Sequence, residues 1–222
     1  MKRSKSFLAL LFCSSLALPV SYAQWGKSIS GEGSVVKKEI SLSDINSIGL
    51  GISGTVYLTP GNSQKVVIEA QQNIIDNIKQ EVKNGSWNIG YHKNVKNHEG
   101  VKIYVTLATV KALSIGGSGK IIAKDNFNNL DDLKFSIGGS GTIEFAGTAK
   151  NVHVSIGGSG TVKAPNLKTE NCSVSIGGSG DCYIEVSESL KASVAGSGDV
   201  HYKGRPKVSS SVSGSGSVQS ME

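Results

Sequence analysis

Several side chains in this 222-residue sequence have the types and spacing of chemistry. Glu144, Lys163 and His201 fall in one column of a repeat that reads Ile122, Glu144, Lys163, Tyr183, His201, Gln219. An acid, an amine and an imidazole on one outward face are groups that a polysaccharide-processing enzyme uses for general acid–base work. Asp181 and Asp199 each close a Gly-Ser-Gly turn, in "GGSGD" and "AGSGD", which suggests the acidic glycine turns of calcium β-rolls. Cys172 and Cys182 straddle one such turn and form a disulfide candidate in an oxidising compartment.

Each has a plainer reading. A solvated face of mixed charge looks like the Glu144 column, and Arg205 is the single arginine beyond residue 23. A calcium roll needs the acid in most repeats, whereas the equivalents of Asp181 and Asp199 are Lys120, Thr142, Thr161 and Ser217. His153 and His201 sit between core columns, and His92 and His98 lie in a polar loop. No pair has metal-ligand spacing with a cysteine or a carboxylate. A phosphate loop opens onto a helix, whereas every glycine turn here opens onto a strand. The residues therefore predict no catalytic centre, no metal and no cofactor.

The element that positions all these groups is the repeat itself. "SIGGSG" occurs at 114–119, 136–141, 155–160 and 175–180, then returns as "SVAGSG" at 193–198 and "SVSGSG" at 211–216. The motifs end at Gly119, Gly141, Gly160, Gly180, Gly198 and Gly216, at intervals of 22, 19, 20, 18 and 18 residues. Such a period marks a solenoid. Apolar residues alternate with polar ones on both sides of each motif, as in Leu133-x-Phe135-x-Ile137 and Ile143-x-Phe145. That is a half-buried strand entering and leaving a turn.

Aligned copies give continuous apolar columns, one of them Ile115, Ile137, Ile156, Ile176, Val194 and Val212. Between them run two serine columns, whose hydroxyls are expected to bond from coil to coil. The glycines suit a corner where coils pack closely and where φ is expected to be positive. At the strand spacing of about 4.8 Å, six coils give a rod of roughly 25 to 30 Å. The fold expected is an all-β, single-stranded parallel β-helix with coils of about 18 to 22 residues.

Upstream the pattern weakens. "GLGISGTVYL" at 49–58 aligns with the motif and its following strand, and 65–70, 84–91 and 101–107 also read as strands. Ile74, Ile75, Ile78 and Val82 have helical spacing, so a short helix is expected near 73–82 with Asn73 as a cap. One domain is expected over 33–222, with degenerate coils at 33–110 and regular coils at 111–218, after a flexible leader at 24–32.

Lys2, Arg3 and Lys5 precede an apolar run from Phe7 to Leu18, with small residues at Ser21 and Ala23. This reads as a secretory signal peptide cleaved after Ala23. Its removal takes three basic side chains and no acidic one, so the net charge falls from +6 to +3. The remaining basic residues form no block, which argues against a nucleic-acid partner. No later apolar stretch has the length of a membrane span.

The segments "DINSIGLGISGTVYLTPGNSQKVVIEA" and "IIDNIKQEVKNGSWNIG", followed by strand-flanked "GGSG" turns, resemble the bacterial putative auto-transporter adhesins with a head GIN domain. The similarity covers roughly 31–218. The resemblance implies a right-handed, pectin-lyase-like β-helix and a role in adhesion, with no catalytic residues to carry over. The function expected is that of an exported, non-enzymatic protein of the cell envelope: periplasmic, on the outer surface or extracellular. Its expected contacts are a surface glycan or an envelope protein, with homo-oligomers as a further possibility. A polysaccharide lyase-like enzyme and a purely structural envelope component are the alternatives.

Overall fold

The computed structural model describes residues 28–221. The signal peptide and its cleavage point after Ala23 lie outside the described residues. The chain is a β-solenoid.

Its first strands form the less regular end. β1 (Val35–Ile40) is followed by the first corner, between β2 (Ser47–Leu50) and β3 (Thr55–Pro60). β4 (Lys65–Gln71) then runs into α1 (Gln72–Asn77), the one helix among the described residues, which buries Ile74 and Ile75. The helix is shorter than the expected 73–82. Ile78 leaves it in extended conformation and bridges to Tyr91, and Val82 opens a hairpin of β5 (Val82–Lys83) and β6 (Ser86–Ile89). Asn84 and Gly85, with φ of 51° and 74°, form its two-residue turn. Asn73 does not cap the helix. Its side chain instead accepts from the Glu32 amide and donates to the Ser30 carbonyl. Residues 29–32 of the expected flexible leader are thus bonded to the fold, with Ile29 paired to Val95, and its residues 24–27 lie outside the described residues.

β7 (Lys102–Leu107), β8 (Ala112–Ile115) and β9 (Lys120–Ala123) lead into the regular coils. There β10 (Phe127–Ile137) leads up to the second SIGGSG corner, and β11 (Thr142–Ile156), β12 (Thr161–Ile176) and β13 (Asp181–Gly196) each run nearly from one glycine corner to the next. β14 (Asp199–Lys203), β15 (Lys207–Gly214) and β16 (Ser217–Ser220) finish the stack.

Every coil therefore has two principal faces. The strand before the glycine corner builds face A, in the order β6, β2, β8, β10, β11, β12, β13, β15. The strand after the corner builds face B, in the order β7, β3, β9, β11, β12, β13, β14, β16. All these pairings are parallel. The spatial order is not the chain order: β2 and β3 lie between the rung of β6 and β7 and that of β8 and β9. Face B is extended beyond β7 by β4 and then β1, both antiparallel.

The register aligns the apolar columns as expected. Ile115, Ile137, Ile156, Ile176 and Val194 face one another and are all buried, as are Leu133, Val152, Cys172 and Leu190. At the last coil the column opens, and Val208 and Val212 are 38% and 42% exposed.

The corners depart from two expectations. The SIGGSG glycines do not need positive φ, which in this column appears only at Gly196 and Gly214 of the two variant motifs. What demands glycine is proximity. The serine columns stack in register, but the bonds tying successive corners together run through the backbone. The Ser140, Ser159 and Ser179 amides donate to the carbonyls of Gly117, Gly139 and Gly158 at 3.0 to 3.1 Å. A side-chain ladder forms instead four residues earlier on face A. Asn151 donates to Asp132 at 3.0 Å, Asn171 to Asn151 at 3.3 Å, and the Ser189 hydroxyl to Asn171 at 2.6 Å.

Candidate functional site

Face B brings the candidate acid–base residues into one column, with Glu144 beside Ile122 and Lys163, and Tyr183 beside Lys163 and His201. Lys163 Nζ is 3.8 Å from Glu144 Oε1, with both side chains about half exposed. His201 stacks on Tyr183, centroids 4.7 Å apart and planes 13° apart, and its Nδ1 lies 3.3 Å from Gln219 Nε2. Glu144 and His201 are three strand steps apart, which is about 14 Å. At that separation they do not act on one bond.

The other aromatic pair on face B behaves in the same way. Tyr57 and Tyr104 stack at 5.2 Å and 17° on neighbouring strands, and Lys124 lies 4.8 Å from the Tyr57 ring. The rings cover each other along the solenoid axis. Beside them Glu69 accepts from Lys102 at 3.0 Å and from the Tyr104 hydroxyl at 3.1 Å, and Lys37 lies 3.4 Å away. The hydrogen bond from Lys102, more than the others, holds the Glu69 carboxyl below its ordinary range.

The calcium-like acids are also engaged within the fold. Asp181 Oδ1 accepts from the Asp199 amide at 3.1 Å, and Asp199 accepts from the Ser217 hydroxyl at 2.7 Å. Among the described residues no three His, Cys, Asp or Glu side chains gather in a metal-holding group. His153 is exposed on face A, His92 is exposed, and His98 accepts from the Gly100 amide.

The disulfide expected between Cys172 and Cys182 is absent, and both are free, buried thiols. They belong to different inward columns. Cys172 is flanked by Val152 and Leu190 on face A, and Cys182 by Val162 and Val200 on face B. Each fills the place of a small apolar side chain. Burial pushes the Cys172 thiol up to about 12 and raises Cys182 well above its ordinary range.

A third side, between the end of one face B strand and the start of the next face A strand, lies outside the aligned columns of the repeat. Three depressions there, of about 450, 290 and 400 Å³, run into one another. The first and second share Asn129, Leu130 and Asp131; the second and third share Thr148, Ala149 and Glu170. Together they make one groove along the solenoid, from Thr109 to Arg205. Its origin is a set of register shifts, between Phe127 and Leu130, Glu144 and Ala146, and Ala164 and Lys168. The unequal repeat intervals were the available signal, because extra residues collect on this side while the corners stay in register.

The model of the family described as "Putative auto-transporter adhesin, head GIN domain" matches residues 44–206. The chain belongs to this family. A crystal structure described as a putative adhesin from Bacteroides fragilis NCTC 9343 is 25% identical, with a TM-score of 0.72. The match covers 87% of this chain and all of that one. A protein from Parabacteroides distasonis ATCC 8503 described as a putative lipid binding protein is 24% identical, with a TM-score of 0.56, over 88% of this chain and all of its own. A putative adhesin from Parabacteroides merdae ATCC 43184 is 20% identical, with a TM-score of 0.54, over 88% of this chain and 99% of its own. No curated protein matches the chain. Among the described residues, no helix of this head GIN domain protein is long and apolar enough to cross a membrane.

Proposed function

We propose that this head GIN domain protein is exported and acts in the cell envelope as a non-catalytic adhesin, by surface contact along the solenoid. The observation carrying this reading is the geometry of face B, where the candidate groups are paired along their column, Lys163 with Glu144 at 3.8 Å and His201 stacked on Tyr183. Glu144 and His201, at the two ends of the candidate acid–base set, stand about 14 Å apart by strand count. Membership of the adhesin family and the signal-peptide pattern at residues 1–23 support the same reading.

The test uses residues 24–222 displayed on beads and offered to host-cell surfaces and bacterial envelopes. Adherence above that of bare beads is expected. No adherence to either would sink the proposal. So would turnover of acidic polysaccharides that is lost in Glu144→Gln or Lys163→Met. Export is read separately, from a mature amino terminus at Gln24 in the secreted material.

A structural role through self-assembly is a second reading, motivated by the exposed Val208 and Val212 in the last coil. Light scattering that finds only monomer at high concentration counts against it.

A further inference from the structure

Resting on the adhesin reading above, we infer that the third-side groove binds an extended, uncharged glycan, a linear chain of polyhydroxylated units. The groove crosses six levels of the solenoid, from Lys111 through Lys134, Lys150 and Lys168 to Arg205. Five strand steps make it about 24 Å long. That is the shape of a polymer site and not of a pocket for one small molecule.

The charged groups of the groove differ from those elsewhere on the surface. Face B, β1 and α1 carry ion pairs such as Lys102–Glu69, Lys38–Asp76 and Lys163–Glu144. In the groove, Lys111, Lys134, Lys150, Lys168 and Arg205 line the same walls as Asp131, Asp132, Glu170 and Glu185. Among the described residues none of these nine makes an ion pair. Among the described residues eight of the nine also make no side-chain hydrogen bond within the protein, and Asp132 accepts from Asn151 at 3.0 Å.

The mixture selects the ligand's charge. A polyanion would run past four carboxylates, and a polycation past five cationic side chains. A hydroxyl donates to a carboxylate and accepts from an ammonium or guanidinium, so a neutral polyol uses both kinds. Thr148 and Ser187 line the groove as well, each already holding one bond within the fold, and Leu130 and Ala149, each 6% exposed, give its floor a little apolar surface.

An extended peptide fits less well, because peptides that bind as strands need an open row of backbone groups. Here the backbone is committed to the solenoid. Thr148 pairs with Lys168 and Ala149 with Thr169. The buried Thr169 hydroxyl lies 3.1 Å from the carbonyl oxygens of Lys150 and Asn171, and the Ser187 hydroxyl donates to the Thr169 carbonyl.

The experiment titrates residues 24–222 with neutral hexasaccharides of β-1,4-glucan, β-1,4-mannan and α-1,6-glucan. Oligogalacturonate and a valine- and threonine-rich decapeptide serve as contrasting probes. Calorimetry reads affinity and amide NMR shifts locate the ligand. At least one neutral hexasaccharide is expected to bind saturably, with shifts confined to 109–112, 129–134, 148–150, 168–170, 185–187 and 204–205. Glu170→Ala and Arg205→Ala each weaken binding by about tenfold or more. Both side chains are exposed, so melting temperatures should hold, and Lys102→Ala on face B should bind as the unaltered chain does. Saturable binding of none of the neutral probes overturns the inference. So does binding unchanged in both groove variants, or tighter binding of oligogalacturonate or the peptide. If the beads still adhere to cells when the groove variants are displayed, the groove is not the contact site and the adhesin reading survives. If the unaltered chain binds a hexasaccharide but adheres to no surface, the adhesin reading fails and the groove stands.

Discussion

A Cβ atom placed on Gly158 would lie 2.5 Å from the carbonyl oxygen of Gly139, the equivalent residue one coil away. Its neighbour Gly157 has its nearest obstacle at 3.9 Å, the carbonyl of Ile137. The two central glycines of the motif therefore do different work. The first can be replaced, and the variant motifs carry Ala195 and Ser213 at that place. Gly158→Ala is expected to cost about 1 to 3 kcal/mol through overpacking against backbone. Gly157→Ala is expected to stay within about 0.5 kcal/mol. Urea unfolding of both variants checks the contrast, and equal losses would refute it.

The two thiols carry a pH signature. Cys172 ionises near 12 in the fold against an ordinary value of 9.0. Its folded pKa is raised, so its stabilising contribution is complete below pH 9 and is lost as pH rises towards 12. Each pH unit in that window removes about 1.4 kcal/mol. The expected outcome is a melting temperature that falls above pH 9, with a shallower fall in Cys172→Ala. Alkylation without reductant should modify neither thiol in the folded chain and both after unfolding in urea.

Glu69 makes the opposite prediction at low pH. Its folded pKa is depressed, so its contribution is present above its ordinary value of 4.5 and is lost as pH falls through the lower folded value. A carbon-detected NMR titration should place the Glu69 midpoint below 4.5. Lys102→Ala, which removes the largest cause, should move it upward.

Asn171 holds the middle of the face A ladder, donating to Asn151 and accepting from Ser189. Asn171→Ala removes both bonds and is expected to cost about 1 to 2 kcal/mol. The partners are not fully buried, so water recovers part of the loss. Thermal melts of Asn171→Ala and Ser189→Ala, alone and combined, should show less than additive losses.

The alternation around each SIGGSG motif was enough to read the inward columns and the corners, because period-2 burial and a fixed corner leave one register. The Glu144, Lys163, Tyr183, His201 column was legible for the same reason. Other features were written in weaker signals. Ile78 and Val82 fit a helical period, yet each is claimed by a strand partner, Tyr91 and Trp87. Inward columns accept a thiol as readily as a half-disulfide, so position did not decide the state of Cys172 and Cys182. The groove arises where the coils differ in length, and an alignment built on the corners leaves those residues unaligned.

The coil of β2 and β3 is laid down first in the chain but has neighbours on both sides, β6 with β7 on one and β8 with β9 on the other. A thread wound from one end would leave its first loop outermost. The coils instead start in the interior of the stack and grow in two directions. Until β6 emerges at Ser86 that founding coil has both edges open, so an export route that delivers the chain amino terminus first must hold it unpaired while residues 61–85 pass.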